Sequence, residues 1–129
     1  MTSGELARSS YSGFVTTLVA AAMRAAQSKL GLDPVVLDMR ELIDSFDALV
    51  VAAGRNDRQV RAIAEEIELF VDIALGVTPT HVEGRSGGEW IALDYGDVIV
   101  HVFDEAARAY YDLEHLWNAA PAVRTERTA

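Results

Sequence analysis

The chain has no cysteine among its 129 residues. That absence excludes thiol nucleophiles, zinc–thiolate sites and disulfides, and it agrees with a reducing compartment. Long hydrophobic runs are missing too: near the N-terminus the longest, Leu18 to Met23, is six residues, against the roughly 20 that a bilayer span needs. A soluble protein with no membrane association is expected. The first ten residues, "MTSGELARSS", lack the charged-then-apolar layout of a secretory signal, so the expected location is cytoplasmic. Basic residues are scarce, 11 against 20 acidic ones, for a formal charge of −9. Such a surface repels bulk nucleic-acid phosphate; the charge is read first as keeping the protein soluble, and second as favouring a basic protein partner whose encounter it would steer.

Recognisable catalytic patterns are also lacking. Gly54 in "GRNDR" follows a strand-like run and precedes a helix-like one, as a phosphate-binding turn would. It stands alone, however, without the phosphate-loop lysine or the dinucleotide glycines. The one Gly-x-Ser-x-Gly match, Gly84 to Gly88, falls in the "RSGG" turn between two strand-like runs and not on the strand-to-helix elbow that a serine nucleophile needs, and His81 and His115 have no ligand-like spacing. The reading is of a protein that is not an enzyme and has no catalytic residue, metal or cofactor.

What is present divides cleanly by period. Val15, Leu18, Val19, Ala22, Ala26 and Leu30 recur at helical spacing through Tyr11–Leu30, with Gly31 as the stop. Pro34–Met39 and Asp47–Gly54 read as buried strands, too closely connected to be anything but antiparallel. Asn56 is placed to cap a second helix with Gln59 completing the box, Val60 through Ala74 supply its apolar stripe, and Gly76 ends it. Thr80–Gly84 reads as a short edge strand. Two arms, Glu89–Asp94 and Asp97–Phe103, follow, and then short helices, the last one capped by Asp112. The sum is an α/β single domain over residues 11–120, with a mixed five-stranded sheet flanked by helices. Residues 1–10 and 121–129 are expected to be flexible, since nothing after Pro121 can be buried.

The two arms hold most of the chain's interest. A tip at Tyr95 and Gly96 sets Asp94 opposite Asp97 and Trp90 opposite His101. Ile91, Leu93, Val98, Val100 and Val102 then share one aliphatic face, which must be core. Trp90, Ala92, Asp94, Asp97, Ile99, His101 and Phe103 share the other, which facing aspartates would bar from ordinary core. Asp94, Asp97 and His101 could be metal ligands or an acid–base pair. Alternatively the aspartates are turn carboxylates bonding backbone N–H groups, with His101 paired to Trp90. The second reading is preferred, and it leaves an aromatic and acidic patch of the kind that recognises proteins. Arg55, Arg58 and Arg61 form the one basic cluster: a solvated helix face with Arg61 paired to Glu65, or a secondary partner or phosphate contact.

The segments "VVLDMRELIDSFDALVVAAGRNDRQVRAIAEEI", "GEWIALDYGDVIVHVF" and "YYDLEHLW" resemble, in that order, the motifs of the ribosomal silencing factor family, the Iojap-like proteins. The likeness runs from about Phe14 to Pro121. Matching positions include Asp38, Gly54, Asp57, Arg58, Gln59 and Val60; Trp90, Leu93, Asp94, Tyr95, Gly96, Asp97, His101 and Phe103; and Tyr111, Leu113, Glu114, Leu116 and Trp117. Ala53 and Arg55 stand where the family usually has a serine and a threonine, which weakens any nucleotide-site reading. The resemblance implies a fold distantly like the nucleotidyltransferases, without established transferase activity. It implies binding to the large ribosomal subunit through ribosomal protein fourteen, blocking of small-subunit joining, and repression of translation when nutrients are scarce. Homodimers are common in the family. The expected contacts to the ribosomal protein are Trp90, Asp94, Tyr95, Asp97 and His101, with Arg55, Arg58 and Arg61 secondary. The rival is a metal-dependent nucleotide-binding enzyme using Asp94 and Asp97.

Overall fold

Two helices, six strands and two further short helices alternate along the chain. The structure, a computed structural model, describes residues 11–124; the expectations for residues 1–10 and 125–129 lie outside them. Helix α1 is Gly13–Ser28, strands β1 and β2 are Leu32–Asp38 and Ala48–Gly54, and helix α2 is Asp57–Leu75. Strands β3, β4 and β5 are His81–Glu83, Trp90–Asp94 and Val98–Asp104. Helices α3 and α4, Glu105–Tyr111 and Leu113–Leu116, precede strand β6, Ala122–Arg124. No helix among the described residues is long and apolar enough to cross a membrane.

The sheet order is β3-β4-β5-β2-β1-β6. All neighbours are antiparallel except β2 and β5, which run parallel. β2 lies at the centre with all seven residues buried, as expected for a strand that reads "ALVVAAG" with no polar side chain. The β1–β2 connection is antiparallel, as its length requires.

Helices α1 and α2 cover one sheet face. Val15, Leu18, Ala22 and Ala26 of α1 and Val60, Ile63, Ala64, Ile67 and Val71 of α2 meet Ile91, Leu93, Val98, Val100 and Val102, all buried. Asn56 Oδ1 accepts from Gln59 N at 2.9 Å and Gln59 Oε1 accepts from Arg55 N at 2.6 Å, so the predicted capping box forms with its return bond one residue early. Gly76 closes α2 at φ +68°. Gly54 has no room for a side chain, because a Cβ there would lie 2.9 Å from Val60 N. That close approach sets the start of α2 hard against the end of β2.

Three expectations need correction. The sheet has six strands, not five: Ala122–Arg124, expected to fray, pairs with β1 at Val35, Val36 and Leu37. The side chains of β6 are all exposed, so burial does not hold it; the backbone ladder does, together with Arg124, which binds Asp33 Oδ2 at 2.6 Å and Glu114 Oε2 at 3.0 Å. Asp112 makes no side-chain cap to α4, being held at φ +48° as the left-handed end of α3. The cap on a helix at this point is Asp104, whose Oδ1 accepts from Ala107 N at 2.7 Å on α3.

A candidate docking face on the open sheet

The β4–β5 hairpin turns one residue later than its sequence suggests. Tyr95 N bonds Val98 O at 2.9 Å, which leaves Gly96 and Asp97 as the tip. Gly96, at φ +89°, supplies the conformation that a two-residue turn needs at its first position. Asp94 therefore faces Ile99 and not Asp97, Ala92 faces His101, and Trp90 faces Phe103. The slip is two residues in register, so the side chains keep their faces and only their opposite numbers change.

The face away from α1 and α2 is half covered. Over β1 and β2, Val35, Leu37, Met39, Leu49, Val51 and Phe103 join Ala107 and Ala120 in a second core, with Trp90, Ile99, Leu113 and Trp117 packed at its margin. This corrects the expectation that the Trp90 side of the hairpin is barred from ordinary core: no facing aspartates disturb it, and Phe103 is 1% exposed. Over β3 and β4 the same face is open. There Glu83, Gly84, Trp90, Ala92 and His101 line a hollow of about 330 Å³. Ala92 makes the hollow, being the small side chain in a row of large ones.

Trp90 and His101 frame it. The indole Nε1 donates to His101 Nδ1 at 2.7 Å, a diagonal cross-strand bond that requires the neutral ring with its hydrogen on Nε2. Burial pushes the His101 pKa down to about 4, so that form holds at neutral pH. Trp90 also packs on Tyr111 at 4.4 Å and Phe103 at 4.9 Å between ring centroids. Tyr110, 82% exposed, meets Tyr111 edge-on at 5.1 Å. The aromatic run thus extends from the inner core to solvent, and it is prolonged by Tyr111, marked in the sequence as a family position but not as a contact, and by Tyr110, which the sequence reading did not single out.

The remaining candidate residues divide. Asp94 Oδ1 accepts from Gly96 N at 2.8 Å, the turn role preferred above, and its Oδ2 lies 3.9 Å from His81 Nδ1. Asp97 is exposed at the tip, and its carbonyl ties the tip to the sheet centre by accepting from Asp47 N and Ala48 N. Among the described residues no group of three or more His, Cys, Asp or Glu side chains is placed to hold a metal ion. Tyr95 is a correction: its ring lies on the helix side of the sheet, 7% exposed, so it cannot share a contact surface with Trp90. Its buried hydroxyl has no hydrogen-bond partner among the described residues.

Arg61 is a second correction. It pairs with Asp57 at 3.1 Å, not Glu65, and donates to the carbonyls of Arg85 and Ser86 at 2.9 and 2.8 Å. It therefore clamps the β3–β4 loop and is not free for a partner, whereas Arg55 and Arg58 are exposed.

A family model described as ribosomal silencing factor during starvation matches residues 15–129. The chain belongs to the ribosomal silencing factor family. A ribosomal silencing factor of Chromobacterium violaceum is 41% identical over 96 residues, which are 74% of this chain and 78% of that one. One from Halalkalibacterium halodurans is 36% identical over 109 residues, 84% and 92% of the two chains. A crystal structure of a Chromobacterium violaceum protein superposes with a TM-score of 0.75 at 35% identity, covering 87% of this chain and 88% of that one. The family's description is a regulatory one, translation control by ribosome silencing, and names no enzymatic activity.

Proposed function

We propose that this protein silences ribosomes by seating the open half of its sheet on ribosomal protein fourteen of the large subunit, where its bulk blocks joining of the small subunit. The observation that carries the proposal is the hollow framed by Trp90 and His101. A half-buried indole, fixed by a hydrogen bond and flanked by Tyr111, has the composition and rigidity of a binding hot spot. Asp94 and Asp97 stand at the edge of the same surface, and a chain of net charge −9 complements a basic ribosomal protein. Tyr95 supports the hairpin from behind.

The test is co-sedimentation with large subunits. Trp90→Ala removes the anchor, a change that costs about 2 kcal/mol or more at a hot spot. Because Trp90 also packs on Phe103, a second variant is needed that leaves the core intact: Ala92→Lys fills the hollow from a position that is not fully buried. Loss of binding by folded Ala92→Lys is the expected result, and full binding by that variant would refute the assignment. The blocking step is tested separately by light scattering of subunit joining, which a saturating amount of the protein should suppress.

A further inference from the structure

Lys29, Arg55 and Arg58 form a corner of cations that the fold leaves unpaired. Arg40, Arg61, Arg85, Arg108 and Arg124 are each within 4 Å of a carboxylate. Lys29, Arg55 and Arg58 have no ion pair or side-chain hydrogen bond among the described residues, and all three are exposed. Gln59, which follows Arg58 on α2, ties the backbones of the other two to one side chain: its Nε2 donates to Lys29 O at 3.2 Å and Leu30 O at 3.1 Å, while its Oε1 accepts from Arg55 N. The nearby carboxylate of Asp57 is taken by Arg61.

Stability alone does not account for this arrangement. Arg55 precedes the cap of α2 and Arg58 lies in its first turn, where the positive end of the helix disfavours cations by a few tenths of a kcal/mol or more. In a chain with 20 acidic residues, partners for these side chains would be easy to supply. One loop links the helix that carries Arg58 to the docking face. Gly88 of the β3–β4 loop abuts Asp57 and Arg61 in the first two turns of α2, and the same loop leads into Trp90.

Resting on the reading of the protein as a large-subunit binder, the structure assigns Lys29, Arg55 and Arg58 to a phosphodiester contact with ribosomal RNA beside the protein site. The contact is local. The net negative charge rejects RNA elsewhere on the surface and so limits where the corner can dock.

The experiment compares the full chain with Lys29→Ala/Arg55→Ala/Arg58→Ala, none of which alters the Gln59 side-chain bonds. Each is titrated against salt-washed large subunits and against isolated ribosomal protein fourteen. Three phosphate contacts would make subunit affinity fall about 40-fold between 50 and 200 mM KCl beyond any other salt effect. The triple variant should lose at least tenfold in subunit affinity at low salt, with a shallower salt dependence, and bind the isolated protein unchanged. Equal affinity and equal salt slope on subunits would overturn the inference, as would a matching loss on the isolated protein, which would make the corner a protein contact. Wild-type binding to subunits but not to the isolated protein would overturn the choice of protein partner and leave the RNA contact standing on its salt slope. Wild-type binding to neither would overturn both.

Discussion

The Trp90 indole N–H donates to His101 Nδ1 across 2.7 Å, and the bond ties the charge state of one residue to the position of the other. A doubly protonated imidazole has no lone pair to offer.

That linkage sets a pH dependence. The His101 pKa falls from 6.5 to about 4 on folding, so between those values the unfolded chain holds a proton that the folded chain does not. Stability is therefore fully present above pH 6.5 and is lost as the pH drops toward 4. Between pH 7 and 5 the loss amounts to about 2 kcal/mol. Urea unfolding at the two pH values should show that loss in the wild type, and His101→Phe should lack it; an identical pH slope in both would refute the assignment.

Tyr95 offers a test of opposite sign. Its hydroxyl is buried without a partner among the described residues, so it is desolvated with no hydrogen bond from them in return. Tyr95→Phe should leave stability unchanged or raise it by about 1 kcal/mol. A lower urea midpoint for the variant would mean that the hydroxyl is bonded.

Gly84, at φ +89°, would bring any Cβ into overlap with the carbonyl oxygen of Trp90. The contact is with backbone and cannot be relieved by a rotamer change. Gly84→Ala should cost about 3 kcal/mol or more from strain and displacement together, and should shift the fluorescence of Trp90. A variant with wild-type melting temperature and emission would contradict the geometry.

Asp97 is exposed at the hairpin tip, and on the proposed docking its charge would act on approach more than on the final complex. Asp97→Lys should slow association with large subunits several-fold at low salt and change dissociation little, with the difference fading at high salt. Stopped-flow binding at two salt concentrations measures both rates.

Much of the fold was legible because its signals are local. The stripe from Val60 to Val71 and the caps at Asn56 and Gly76 predict α2 closely. The alternation from Ile91 to Val102 sorted the hairpin's faces correctly even with the tip misplaced, since a slip of two residues preserves the period of two. Strand β6 was not legible: "AVR" has no burial pattern, and its anchors are Asp33, 91 residues earlier, and Glu114 on α4. For the candidate site, Trp90 and His101 could be picked out as a pair. The second core under α3 and α4, which turns half of that face inward, depends on packing between distant segments. Arg61 illustrates the same limit, because its sequence neighbour Glu65 suggested a pair that the β3–β4 loop displaced.

The parallel pairing of β2 with β5 sets Ala48 beside Val98 and Gly54 beside Asp104, strands separated by α2, β3 and β4. Contacts between segments so far apart in sequence slow folding, since the closure entropy of the intervening chain must be offset before they form. The same ladder sets Phe103 beside Ala53, in the core on which the ring of Trp90 packs. On the proposed function, the docking face therefore depends on a pairing between strands far apart in sequence, and a chain without that pairing would lack the surface behind Trp90.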